Sequence, residues 1–146
     1  MMACWPIGSI SLFSEELLMP NKLAKRRHQA FLTQDKRCYY CGFLMWETDP
    51  AQFAKNHGLT LAQVQRFKCT AEHLEARQDG GNDLPSNIVA ACIHCNQSRH
   101  RMKPALSAEM YCRVISKQLL NGSWHKQKVV KKLHQAMAPD FRNLAY

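Results

Sequence analysis

The sequence predicts an α+β domain that is mostly helical, and three observations lead there. Capped or amphipathic helical stretches recur along the chain, only two short runs read as strands, and two C-x-x-C pairs bracket those strands. With 146 residues there is room for one ordinary domain and one functional centre. Hydrophobic residues at 46%, with only six Gly and six Pro, allow a packed core and argue against a disordered chain.

Taken in order, residues 1–18 hold two acids and no cation. They are expected to be a poorly packed extension upstream of a natural start at Met19, leaving residues 19–146 as a single domain. The opening stretch lacks a basic n-region and is broken by Ser9, Ser11 and Ser14, so it does not read as a signal peptide. From Asn21, Leu23, Ala30 and Phe31 among cations predict a first helix. Asp49 as N-cap, Pro50 at the first helical position and Gly58 past the end predict a second. Thr60 and Gln63 form a capping box ahead of Leu61, Val64 and Phe67. The strands are CTAEHL from Cys69 and NIVAAC from Asn87, joined by the turn-rich QDGGNDLPS. After Cys95 a helix runs toward Pro104. Two more helices follow within residues 107–137, one with Tyr111, Val114, Ile115 and Leu119 on a face, the other with Val129, Val130, Leu133 and Met137.

The formal charge of +9 is concentrated. Residues 19–37 carry six cations and one acid, residues 97–134 nine cations and one acid, while residues 38–96 carry four cations and six acids. Two basic arms around an acidic centre suit a polyanionic partner, with the phosphates of nucleic acid the foremost candidate. Lys126, Lys128, Lys131 and Lys132 lie mostly off the apolar stripe of the last helix. The longest apolar run, Ile88 to Ile93, has six residues where a membrane span needs about 20. A cytoplasmic protein with reduced thiols is expected, its oligomeric state open.

Seven cysteines leave one over if all the others pair as disulfides. Cys38 and Cys41 in CYYC, and Cys92 and Cys95 in CIHC, have the spacing that lets two turns complete a tetrahedral four-sulfur zinc site. Closing the 50 residues between the pairs costs roughly 3–4 kcal/mol, against about 10–16 kcal/mol for structural zinc. A thiol redox pair is the alternative reading of one C-x-x-C. Cys4, Cys69 and Cys112 read as small buried hydrophobes, and His94 as a loop residue.

Glu72 and His73 are adjacent, so a strand points them to opposite faces. Asn96, Arg99 and His100 share a helix face at i, i+3 and i+4. Glu72 and Asn96 offer hard oxygen ligands suited to magnesium, and His73 an imidazole largely neutral near pH 7.

This ordered set, two C-x-x-C knuckles, an acidic-His dipeptide, a GG loop, Asn87 opening the second strand and C-x-x-C-N followed by a basic residue, resembles the HNH endonuclease family over Cys38 to Arg101. The resemblance implies a ββα-metal HNH core at 38–104, pinned by structural zinc on Cys38, Cys41, Cys92 and Cys95 and flanked by helices. It implies His73 as general base, Glu72 and Asn96 as ligands of a catalytic Mg or Mn, and Asn87 as a brace of the loop. Arg99 would sit near the scissile phosphate, with His100, Arg101 and Lys103 contacting nucleic acid. Glu72 stands where the family more often has Asp, and Asn96 where many members have His, which favours Mg or Mn over zinc. The stretch from Gly42 to Lys68 exceeds a minimal module and reads as an insertion packed on the core or touching substrate. The activity implied is metal-dependent hydrolysis of phosphodiester bonds in double-stranded DNA, a hydrolase with no membrane partner. A zinc-organised nucleic-acid-binding protein without chemistry is the alternative.

Overall fold

The structure, a computed structural model, describes residues 22–135. The expectations for residues 1–18, Cys4, a start at Met19 and Met137 fall outside them. Within the described residues the order is α1 (Lys22–Thr33), α2 (Pro50–His57), α3 (Leu61–Val64), β1 (Cys69–His73), β2 (Ile88–Cys92), α4 (Ile93–Arg101), α5 (Ala108–Leu120) and α6 (Gln127–Gln135). Single 3₁₀ turns lie at Gln65–Phe67, Arg77–Asp79 and Pro85–Asn87. This is a mixed, mostly helical α+β architecture around one small sheet.

The helix ends form where the sequence marks them. Asp49 accepts from the Gln52 N–H at 2.8 Å, Pro50 opens α2, and Gly58 closes it in the left-handed conformation. Thr60 and Gln63 complete a reciprocal capping box on α3, which satisfies two otherwise orphaned backbone donors. Ser107 caps α5 through the Met110 N–H. Two details depart from the sequence reading. Asn87 ends a 3₁₀ turn ahead of β2, although its carbonyl still accepts from the Leu74 N–H at 3.0 Å, one step past the His73–Ile88 pair. His94 is in the first turn of α4 and not in a loop, since Cys92 already caps that helix by accepting from the Cys95 N–H.

Strands β1 and β2 pair antiparallel, with Cys69 opposite Cys92, Ala71 opposite Ala90 and His73 opposite Ile88. A two-stranded ribbon is marginal alone, and here α1 and the chain after it support it. Phe31 is buried on α1, and Gln34, 7% exposed, acts as a surrogate strand. Its Nε2 donates to the Ala90 carbonyl at 2.8 Å and its Oε1 accepts from the Ala90 N–H at 2.9 Å. The Tyr39 N–H donates to the same carbonyl. The insertion packs on the core: Trp46 bridges Lys68 in parallel, the Trp46 indole N–H donates to the Val64 carbonyl at 2.7 Å, and Phe67 is fully buried.

Helix α5 buries Tyr111, Cys112 and Ile115, and α6 buries Val129 and Leu133. Lys126, Lys128, Lys131 and Lys132 are exposed. Between the two helices His125 is buried among Phe43, Phe67, Trp124 and His94, with neither ring nitrogen hydrogen-bonded. Burial, then the charge of Arg66, lowers its pKa to about 3, so the imidazole is a neutral filler. No helix among the described residues is long and apolar enough to cross a membrane.

Two outcomes follow from this packing. Gln34→Ala strips the partner from the buried Ala90 N–H and should cost about 1–3 kcal/mol, read as a lower urea midpoint. His125 titrates near 3 when folded and near ~6.5 when unfolded, so the unfolded chain takes the proton first as pH falls. Stability is therefore lost between those two values. His125→Phe should lose less on going from pH ~7 to pH ~4.5 than the wild type does, measured by urea unfolding at both.

Candidate active site

The site begins at the four cysteines. Cys38 and Cys41 flank the turn that follows α1, Cys92 ends β2, and Cys95 lies in the first turn of α4. All four are buried, and their Sγ atoms lie within 4.8 Å of one another. The Cys92 N–H donates to Cys38 Sγ at 3.2 Å and the Cys95 N–H to Cys92 Sγ at 3.4 Å. The Trp124 indole N–H reaches Cys95 Sγ at 3.3 Å. Burial pushes the Cys41 and Cys95 thiols up. At Cys38 burial acts the same way, but hydrogen bonds from Cys41, Cys92 and Cys95 outweigh it and hold that thiol low. A tetrahedral divalent cation would support all four sulfurs as thiolates. The donor set, its burial and the N–H groups aimed at sulfur make the cluster compatible with zinc. Cys69 and Cys112 are buried away from this group.

This cluster fixes the angle between β2 and α4, and with it the polar centre. Tyr40 lies inside the first C-x-x-C and is fully buried; its hydroxyl donates to Glu72 Oε1 at 2.9 Å. Burial, followed by the charge of Glu72, raises the Tyr40 pKa far above the normal phenol range, so the hydroxyl stays a donor. Glu72 is 1% exposed. Arg99 donates to Oε1, and His100 Nε2 is 3.1 Å from Oε2. His100, whose side chain is half exposed, and Arg99 line a cleft of about 440 Å³ together with Glu75, Asp79, Leu106 and Ser107. Asn96 donates through Nδ2 to Thr70 Oγ1 and to the Ala71 carbonyl, both at 3.0 Å. That commits its nitrogen to β1 and leaves Oδ1 as the atom able to ligate a metal.

On the other face of β1, His73 Nε2 lies 2.7 Å from Asp83 Oδ1. Arg77 joins this pair: Nη2 donates to both Asp83 oxygens at 2.8 Å, and Nε lies 3.3 Å from His73 Nε2. The hydrogen bond with His73, then those from Arg77, holds the Asp83 carboxyl below its usual range. The loop carrying these groups is locally over-determined. Gly80 has φ +95°, and a Cβ at Gly81 would sit 1.8 Å from the Glu75 carbonyl oxygen, so the first position needs the left-handed region and the second the close approach. Asn87 ties the loop together by accepting from the Glu75 N–H at 2.8 Å and donating to the Glu75 and Asn82 carbonyls at 3.0 and 2.8 Å.

Arg99 is positioned differently from the sequence expectation. It is 6% exposed and donates to Glu72, to the His73 and Leu74 carbonyls at 2.9 Å each, and to the Leu106 carbonyl at 3.2 Å. Those bonds occupy most of the guanidinium, so Arg99 pins the Glu72–His73 dipeptide to α4. The physical reason is its helix position, which faces inward over the end of β1. Arg101 and Lys103 are exposed, Arg101 with a hydrogen bond to Ser98 Oγ. Sequence reasoning missed Tyr40, Arg77, Asp83 and Trp124. Tyr40 had a signal, being enclosed by the two cysteines of the first C-x-x-C; Arg77 and Asp83, four and ten residues from His73, lie in a turn-rich loop with no periodicity to aim them, and Trp124 reaches Cys95 from 29 residues away.

The cluster predicts a metal stoichiometry. The purified chain should release one equivalent of zinc when its thiols are titrated with a mercurial, and Cys92→Ser should abolish tight zinc retention and cooperative thermal unfolding.

No curated protein and no solved structure matches the chain. With both strands, the braced loop and α4 in place, the stretch from 63 to 102 is the part that matches a known family, and that family is HNH endonuclease.

Proposed function

We propose that the protein is a divalent-metal-dependent endonuclease that hydrolyses DNA phosphodiester bonds, with His73 as general base. The observation that carries this reading is the commitment of His73 Nε2 to Asp83 at 2.7 Å within a segment matching the HNH endonuclease family. In the tautomer that donates Nε2–H to Asp83, the 3.3 Å approach of Arg77 Nε is not a hydrogen bond and the lone pair lies on Nδ1, the atom that accepts a proton from water. The water oxygen attacks phosphorus in line, the P–O3′ bond breaks, and O3′ leaves with the electron pair and is protonated by solvent. The products carry 5′-phosphate and 3′-hydroxyl ends.

Glu72 Oε2 and Asn96 Oδ1 are the atoms that would hold Mg or Mn, with His100 giving way on Oε2. The chemistry supplied by such an ion is neutralisation of charge on the phosphoryl and leaving oxygens. Arg99 and Tyr40 hold the Glu72 carboxylate in place through Oε1, and Asn87 keeps the loop from drifting away from His73. Double-stranded DNA is the proposed substrate, with Arg101, Lys103 and the exposed lysines of α6 contacting phosphates outside the reacting centre.

Those exposed lysines equally favour a second reading, a zinc-organised binder without chemistry, and one experiment separates the two. Plasmid DNA incubated with the protein in Mg²⁺ or Mn²⁺ should be nicked or cut, and His73→Ala should slow cleavage about 10²- to 10⁴-fold while keeping DNA affinity and zinc content. A binder shifts DNA alike with or without added metal and cuts in neither. Cleavage at wild-type rate by His73→Ala would remove His73 from the chemistry.

A further inference from the structure

We propose that Arg77 is a catalytic residue whose guanidinium grips a non-bridging oxygen of the scissile phosphate, and that in the free protein Asp83 parks it beside the base. This inference rests on the nuclease reading and adds to it the cation that the reacting phosphate requires.

Four observations converge. Arg99, the arginine that spacing places nearest the reaction, is buried and occupied by Glu72 and three backbone carbonyls. Between the strands, residues 74–87 contain one cation, Arg77. Its side chain is 60% exposed, yet its Nε lies 3.3 Å from His73 Nε2, so it combines access to substrate with contact to the base. Its Nε and Nη2 both face the Asp83 carboxylate, Nε at 3.2 Å from Oδ1 and Nη2 at 2.8 Å from Oδ1 and Oδ2, the two-oxygen geometry in which guanidinium groups also hold phosphate.

The backbone beneath Arg77 is fixed while its side chain is free to exchange. The 3₁₀ turn Arg77–Asp79 is closed by the Gly80 N–H on the Arg77 carbonyl at 3.1 Å, and Asn87 and Gly81 lock the flanking loop. The Arg77–Asp83 pair lies at the surface, where water and salt screen it, and a phosphodiester offers the guanidinium the same charge and a two-oxygen acceptor. On binding, Arg77 turns from Asp83 to the phosphate, while Asp83 keeps its hydrogen bond to His73 Nε2. The carboxylate therefore serves two groups in turn, orienting the imidazole throughout and holding the guanidinium only until DNA arrives. In the transition state the negative charge gathers on the oxygen that Arg77 contacts, so the contact strengthens as the reaction proceeds.

The test uses the full chain with Arg77→Ala and Arg77→Lys, each also combined with His73→Ala so that binding is measured without cleavage. Affinity for a short fluorescent duplex is followed across a salt series by anisotropy, and cleavage of plasmid in Mg²⁺ and Mn²⁺ gives the rate. Arg77→Ala is expected to lower the slope of log affinity against log salt by about 1 and the cleavage rate constant about 10²-fold or more. Arg77→Lys should restore the slope and only part of the rate, since it keeps the charge and loses the fork. A rate loss with the slope unchanged overturns the phosphate contact and makes Arg77 a positioning residue for His73. A slope change with the rate unchanged moves the contact away from the scissile phosphate and also overturns the proposal. If the wild type fails to cleave in either metal, the nuclease reading falls, and the slope decides alone whether Arg77 holds phosphate. Unchanged circular dichroism in both variants, expected for so exposed a side chain, keeps misfolding out of the comparison.

Discussion

Convergence of four thiols within 4.8 Å is the constraint on which the rest depends. Two of the cysteines sit at the junction where β2 becomes α4, and the other two come from a turn 50 residues earlier in the chain. Joining them sets the direction in which α4 leaves the sheet, and α4 carries Asn96, Arg99 and His100. A small sheet could not hold that angle by hydrogen bonds alone. The surrounding structure is built to the same end: backbone N–H groups and the Trp124 indole point at sulfur, and Tyr111 donates to the Cys95 carbonyl at 2.8 Å.

The cysteine cluster and β1 are joined through Tyr40, which belongs to the first C-x-x-C and touches Glu72. Glu72 and Arg99 form a nearly dry ion pair. Such a pair adds little net stability over an apolar replacement but is expensive to break from one side, so its effect is on geometry. Arg99 reads out the backbone of His73 and Leu74 as well as the Glu72 side chain. Moving α4 would therefore move Glu72 and His73 together, keeping their relation intact. The His73–Asp83–Arg77 group is of a different kind, more exposed and held by loop backbone.

Much of this was legible in the sequence because it is encoded locally. The caps on α2 and α3 need only residues three apart, and they form as read. The two C-x-x-C turns, the strand pair and the GG loop are likewise short-range patterns. Asn87 shows the limit: the family resemblance implied a loop brace, but that it sits in a 3₁₀ turn and spans Glu75 and Asn82 comes from the folded loop. Arg99 shows it more sharply. Periodicity correctly put it on the face shared with Asn96 but could not say whether that face looked outward to phosphate or inward to Glu72.

Residue type and near-neighbour spacing account for the capped helices, the strand pair, the four converging cysteines and the candidate chemistry of Glu72, His73 and Asn96. Tertiary structure alone decided which polar groups meet: Glu72 with Arg99 and Tyr40, 27 and 32 residues apart, His73 with Asp83, and Gln34 with Ala90 across 56 residues. The reason is physical. A buried carboxylate, an imidazole or an unpaired strand edge must find a partner somewhere, but which partner arrives is set by the path of the backbone between them.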